Sequence, residues 1–353
     1  MKLDSFKNLL GRPAPKPAAS SAPRAGAAWD VALPTTPAYQ GVQDTYTPSN
    51  SGTAVRFGPG NAAARQGVLS LFQEGVARDW ASPVQARTLA DNVSQLSGGQ
   101  LATLTGLLEG AYTKAEQIFI LKAFAADEPW DNIVQYAQEM RGVPESEIVR
   151  RSTMRDDFDV IQQWQDSCGP TLLQTAAGEA DPRYAWELNK MSSDLSRIDP
   201  TGANRGLAEQ QKQWLEQFGG IAVERGQSGG QGIALSTMLN QILGPITNAT
   251  YQTAEATNST IDLDQVAQIV LSGYDTPIRI SWNQPSAGQD SGHFVLAMAV
   301  RGTPGSREFQ IHDPWTGKTD WVSERSIAQD SFAPIFNQYA RMSHYYPAQP
   351  ATT

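Results

Sequence analysis

Cysteine occurs once and histidine only three times in 353 residues. A single thiol excludes an internal disulfide and any zinc site that needs several thiolates. Long apolar runs are also missing: no stretch of about 18 apolar residues reads as a membrane-spanning helix, so no membrane partner is expected. The opening Met1-Lys2-Leu3-Asp4-Ser5-Phe6-Lys7 has neither the apolar core nor the small-residue cleavage site of a secretory signal. The expectation is a cytoplasmic protein, or one secreted without a classical signal peptide. Charge is scarce at 18% of residues, and its net value of -9 argues against a broad nucleic-acid-binding surface. The balance is uneven, with +3 over residues 1–60 and -12 over the remainder.

What is present falls into three stretches. Residues 1–58 are dominated by Pro, Ala, Ser, Gly and Thr, a composition that buries too little apolar surface to offset chain entropy. A disordered tail is expected there, serving as a linker, an export signal or a pro-segment. From 61 to 151 the pattern is helical, and four or five short helices are expected. Val68, Leu69, Leu71 and Phe72 mark a first helix. Ser82-Pro83 opens a second, with serine as cap and proline in the first turn. Gly98-Gly99 reads as its end. Thr113 with Glu116 forms a capping box for another helix, and Trp130, Ile133, Val134 and Ala137 mark one more. This small all-α domain carries no catalytic cluster.

The third stretch, 155–347, changes texture. Phe158 to Ile161 reads as a short strand or an extended entry to Gln162-Gln163-Trp164-Gln165-Asp166-Ser167-Cys168-Gly169-Pro170-Thr171. A helix follows, with Gly178 placed to stop it. The run Gly226 to Gly232 lacks the Gly-Lys-Ser/Thr ending of a phosphate loop and reads as a loop before a helix at Ile233. No metal or cofactor is expected. Helix 261–271, Gly273, strand 277–282, strand 293–300, a turn at 303–306, strand 308–312 and a short strand at 319–322 complete the pattern. His344 falls in a C-terminal tail.

A lone cysteine is by default a small buried hydrophobe. Cys168, however, stands where an extended segment turns into a helix, and unsatisfied N–H groups at a helix N-terminus favour thiolate over thiol. Gly169 leaves room for a close backbone or substrate approach. His293 opens a long strand, where an imidazole can lean over a cleft and accept a thiol proton. Asp313 ends the partner strand, so its carboxylate can hold the other ring nitrogen and fix the tautomer.

The run from Gln162 to Thr171, then Gly292-His293-Phe294-Val295-Leu296, then Ile311 to Gly317, resembles the peptidase domain that removes double-glycine leaders from bacteriocins, and its wider papain-like relatives. The resemblance covers roughly residues 155–325. It implies an α+β fold whose C-terminal domain is papain-like, with helices in one lobe and an antiparallel sheet in the other. It also implies a Cys168–His293–Asp313 triad, with Gln162, six residues before the cysteine, as an oxyanion donor. Gln165 is the second choice for that donor, and Gln163 lies between them. Trp164 and Trp315, with the 198–232 and 283–292 loops, are candidate cleft walls.

The implied activity is a cysteine protease acting on a protein or peptide substrate through a thioester. Deamidation or transglutamination of glutamine shares that intermediate, and a catalytically silent binding module is the alternative of another class. The free-standing form behind a Ser/Pro/Ala-rich tail is similar to bacterial effectors exported by specialised systems, for which a secretion chaperone is a further expected partner.

Overall fold

Serine or threonine caps start three of the helices that precede residue 153. The computed structural model describes residues 56–57, 60–154, 160–191, 198–202, 204–227, 233–256, 259–282, 292–336 and 340–350; the N-terminal tail, apart from a few residues, lies outside them. Helix α1 (Asn61–Ala77) turns Val68, Leu71 and Phe72 inward. Ahead of α2 (Pro83–Gln95), Ser82 Oγ accepts from Gln85 N at 3.3 Å and Gln85 Oε1 accepts from Ser82 N at 2.7 Å.

Gly98 and Gly99 do not end that helix but begin α3 (Gly98–Glu109), because Ser97 and Gln100 form a second capping box. The Gly98 Cα also packs against Asn61, whose Nδ2 would lie 2.9 Å from an added Cβ. Before α4 (Lys114–Ala125), Thr113 Oγ1 accepts from Glu116 N at 3.2 Å, while the Glu116 carboxylate reaches past Thr113 to Tyr112 N at 3.0 Å. Helices α5 (Trp130–Met140) and α6 (Glu145–Ser152) bring the count before residue 153 to six among the described residues.

Val160 and Ile161 are buried but form no strand, and Phe158 and Asp159 lie outside the described residues. The chain then forms β1 (Trp164–Gln165), α7 (Cys168–Ala180), α8 (Pro182–Met191), α9 (Arg205–Gln217) and β2 (Val223–Glu224), which pairs with β1. Gly178 does not stop α7. It is the crossing point of Met154, whose Cγ would sit 2.5 Å from an added Cβ. Next come α10 (Leu235–Met238), a π-helical turn at Leu239–Leu243, α11 (Gly244–Thr247), β3 (Ala249–Tyr251), β4 (Ala254–Glu255) and α12 (Ser259–Leu271). Gly273, at φ 101°, closes α12.

The last elements are β5 (Thr276–Ser281), β6 (Gly292–Arg301), β7 (Glu308–Asp313), β8 (Lys318–Ser323), α13 (Glu324–Ala328), β9 (Arg341–Tyr345) and β10 (Ala348–Pro350). The architecture is α+β: a six-stranded antiparallel sheet ordered β4-β9-β5-β6-β7-β8 follows the helices. His344 therefore sits in β9, opposite Arg279 of β5, and not in a tail. One face of the sheet packs Ile278, Ile280, Val295, Ala297, Phe309 and Ile311 against Leu263 and Val266 of α12. Helix α7 packs on β6.

The six-helix segment and the part that follows share one core, which Trp186 of α8 completes. The Trp186 ring meets Tyr136 edge-on at 5.7 Å, and its Nε1 donates to Glu139 Oε2 at 2.9 Å. Across the same seam Gln85 Nε2 donates to the Glu179 and Ala180 carbonyls. Lys122 of α4 is also buried here. Burial lowers its pKa, and Glu179, Asp181 and Asp275 offset that in part. Among the described residues no helix is long and apolar enough to cross a membrane.

Candidate functional site

The only cysteine of the chain is the first residue of α7, almost fully buried at 9% exposure. A tight turn delivers it: Asp166, at φ 61°, occupies the left-handed region that aspartate tolerates. Ser167 precedes the helix without capping it. Its hydroxyl is turned back, donating to Trp164 O at 3.0 Å and to Gln211 Oε1 at 3.2 Å. The N–H groups of the first turn of α7 are thus not taken by a side-chain cap, and the positive end of the helix faces Cys168.

Gly169 leaves no open approach. Ile233 and Leu235 lie over it, each with Cδ1 at 3.4 Å from where a Cβ would stand, which is ordinary contact. The close approach expected of another backbone or a substrate is made on this side by the chain's own side chains.

Because β6 and β7 are antiparallel, the start of one and the end of the other meet at the same end of the sheet. This brings His293 to Asp313, with Nε2 2.6 Å from Oδ1. With Nε2 taken by Asp313, Nδ1 is the ring nitrogen left for the neighbouring Cys168, which acts on the imidazole electrostatically. Burial opposes a charged imidazole, yet Asp313 and Cys168 outweigh it and lift the His293 pKa to about 9. Asp313 is fully buried. Burial would raise its pKa, but His293, Thr316 and Trp315 together hold it below the ordinary value. Thr316 Oγ1 donates to Oδ2 at 2.6 Å, Thr316 N to Oδ2 at 3.2 Å and Trp315 N to Oδ1 at 2.9 Å. The Asp-Pro turn thus holds the carboxylate through bonds that do not involve His293.

Three of the four residues singled out from sequence are therefore brought together: Asp313 is hydrogen-bonded to His293, and Cys168 lies near enough to the ring to raise its pKa. The fourth lies beside it. Gln162 N donates to Pro314 O at 2.8 Å, which ties it to the Asp313 turn. Its Nε2 donates to Trp164 O at 3.0 Å, and its buried Oε1 has no partner. The neighbouring glutamines are engaged elsewhere. Gln163 accepts from Asp199 N and donates to Ile161 O, and Gln165 accepts from Gly226 N at 2.9 Å.

Trp164 is anchored to α9 through Ala208 O, while Trp315 is 37% exposed. Of the two loops read as cleft walls, residues 228–232 and 283–291 lie outside the described residues.

Three contributors went unread in the sequence. Trp282 stacks on the His293 ring at 5.8 Å and 19°, and Phe336 stands edge-on to both rings. Together they seat the imidazole in an apolar cage. Trp282 directly follows β5, next to a strand visible in the sequence pattern; Phe336 has no local signal. Arg225 is the third. Its guanidinium lies 3.9 Å from the Trp315 ring centroid, with Nη1 on Gln162 O and Nη2 on Trp315 O, each at 3.2 Å. Among the described residues no group of three or more His, Cys, Asp or Glu side chains is placed to hold a metal ion.

His312, next to Asp313, is fully buried, with Nδ1 3.1 Å from Thr319 Oγ1. Burial lowers its pKa to about 4, and the Asp313 charge and the Val160 backbone offset this only partly. The folded chain keeps His312 neutral while the unfolded chain protonates it near pH 6.5. Its contribution is therefore complete above that value and is lost as pH falls from 6.5 toward 4, to a total of about 3 kcal/mol. His293 acts in the opposite sense: its stabilisation is complete below pH 6.5 and is lost as pH rises toward 9. Urea midpoints measured at pH 7.5 and 4.5 are expected to drop clearly for the native protein and much less for His312→Gln.

No protein-family model matches this chain, and no curated protein matches it.

Proposed function

We propose that the chain is a papain-like cysteine peptidase, hydrolysing peptide bonds through Cys168, His293 and Asp313. The observation that carries this reading is the buried His293 ring, held by Asp313 on Nε2 and lying beside the chain's only thiol, at the start of α7. In the proposed reaction Cys168 Sγ attacks the substrate carbonyl carbon while His293 Nδ1 takes the thiol proton. His293 returns that proton to the departing amine, leaving a thioester. Water, deprotonated by the same nitrogen, then cleaves the thioester and frees Cys168. Asp313 keeps the Nε2 proton bonded throughout, so that Nδ1 is the nitrogen that takes and returns protons.

The tetrahedral intermediate carries an oxyanion. Two donors are proposed for it: the Cys168 backbone N–H, which has no acceptor within the helix, and the Gln162 amide. A primary amide has two N–H bonds; Trp164 O takes one, and the second serves the oxyanion. Gln162→Ala is expected to slow turnover by about 10²–10³ with Cys168 still reactive toward alkylation.

The test is iodoacetamide labelling of Cys168 near pH 7, compared between the native chain and His293→Ala. Labelling about 10²-fold slower in the variant is expected; equal rates would remove the activated pair and the proposal with it. Mass spectrometry of a protein substrate then separates outcomes that share the thioester: cut chains mark peptide hydrolysis, and an uncut chain with a converted glutamine marks deamidation.

A further inference from the structure

We propose that Arg225 is a positioning residue for the oxyanion donor, its planar fork joining the Gln162 carbonyl to the Trp315 carbonyl and so setting the Gln162 amide in register with the Asp313 turn. The inference rests on the thiol-hydrolase reading above and adds a residue to it.

Gln162 needs outside support. Residues 160–163 belong to no helix or strand, so no ladder fixes their height relative to Cys168. Its side chain is held by one bond to Trp164 O, and its Oε1 has no partner. What fixes the residue is its backbone: the N–H is bound by Pro314 O, and the C=O accepts from Arg225. The first of these bonds runs to the Asp313 turn. The second runs to a guanidinium that grips the same turn again at Trp315 O and lies 3.9 Å from its indole ring centroid.

A planar fork can span two carbonyls at once; an ammonium is a point donor without that geometry. Arg225 in turn is held by its own strand. It follows β2 directly, and the next residue, Gly226, is bonded to Gln165 of β1. Segments separated by 63 and 90 positions thus converge on one side chain. Loss of the fork would free the Gln162 segment to shift, and a displacement of about 1 Å at a reacting group can cost about 10²-fold.

Two reactions of the same thiol separate this role from a general structural one. Acylation by p-nitrophenyl acetate forms an Sγ–C bond and breaks the ester C–O bond, releasing p-nitrophenolate while His293 holds the thiol proton; it passes through an oxyanion. Alkylation by iodoacetamide displaces iodide and forms no oxyanion. Arg225→Gln is expected to slow p-nitrophenolate release about 10- to 10²-fold while changing alkylation by no more than about threefold. Arg225→Lys should behave like the glutamine variant. The double variant Gln162→Ala/Arg225→Gln should be no slower than Gln162→Ala alone, since both remove the same interaction.

Equal slowing of both reactions, full activity of the lysine variant, or losses that add in the double variant would each overturn the proposal. A native Cys168 whose alkylation ignores His293 would instead defeat the peptidase reading, and that result is obtained independently of Arg225.

Discussion

Asp313→Asn is expected to lower turnover about 10⁴-fold, the loss seen when the orienting carboxylate of a Ser-His-Asp triad becomes an amide. In the native site the carboxylate accepts the Nε2 proton at 2.6 Å. That leaves Nδ1 as the nitrogen available to exchange the proton of Cys168. An asparagine can turn its NH₂ toward Nε2, which places the ring proton on Nδ1 and faces the thiol with a donor.

The charge matters as well as the tautomer. Asp313 is one of the groups that lift the His293 pKa to about 9, so its removal moves the His293-dependent limb of the pH profile toward lower pH. Iodoacetamide labelling from pH 5 to 10 would display that shift directly. A variant with unchanged pH dependence would mean that Asp313 only starts the turn at Pro314. Some loss of stability is also expected, because Asp313 accepts three further bonds from Trp315 and Thr316, and one amide oxygen cannot serve them all.

Trp186→Ala should destabilise the chain by about 3–5 kcal/mol, a cost set by the seam and not by the site. Trp186 is 2% exposed within the core formed mainly by α1 to α6. Its removal leaves a large void, takes the edge contact from Tyr136, and strips Glu139 of an N–H donor. Lys190 of α8 keeps its ion pair with Glu139, so the polar rim survives while the apolar centre is lost. The measurement is the urea midpoint at constant slope. A change under about 1 kcal/mol would show that the helical segment contributes little to the stability of the part carrying Cys168.

The order Cys168, His293, Asp313 was legible because each residue sits at an element boundary that local pattern reveals: a helix start, a strand start, a strand end. Ser82-Pro83 was legible for the same reason. The second box, Ser97 with Gln100, was equally written in the chain, but the paired glycines suggested a stop and masked it. Gly178 could not be read, since the residue that demands it, Met154, lies 24 positions earlier on another segment. Arg225 and Phe336 belong to the same class: their partners are distant in sequence, and a lone arginine beside a glycine-rich stretch has no periodicity to mark it. β9 was missed for a related reason. Arg341 to Tyr345 is short and half polar, and only its insertion between β4 and β5 makes it a strand.

That insertion bears on how the protein comes into being. Tyr345 pairs with Ile278, and Ala254 of β4 pairs with Tyr345 in turn, so the middle of the sheet is filled by a segment made long after its neighbours. A ribosome that has released Cys168, His293 and Asp313 has still to deliver residue 345 before β5 has a partner on both sides. Such non-local closure is slow relative to helix formation. The helices before residue 153 can assemble while synthesis continues, but the sheet that carries His293 is completed only once residue 345 is available to β5.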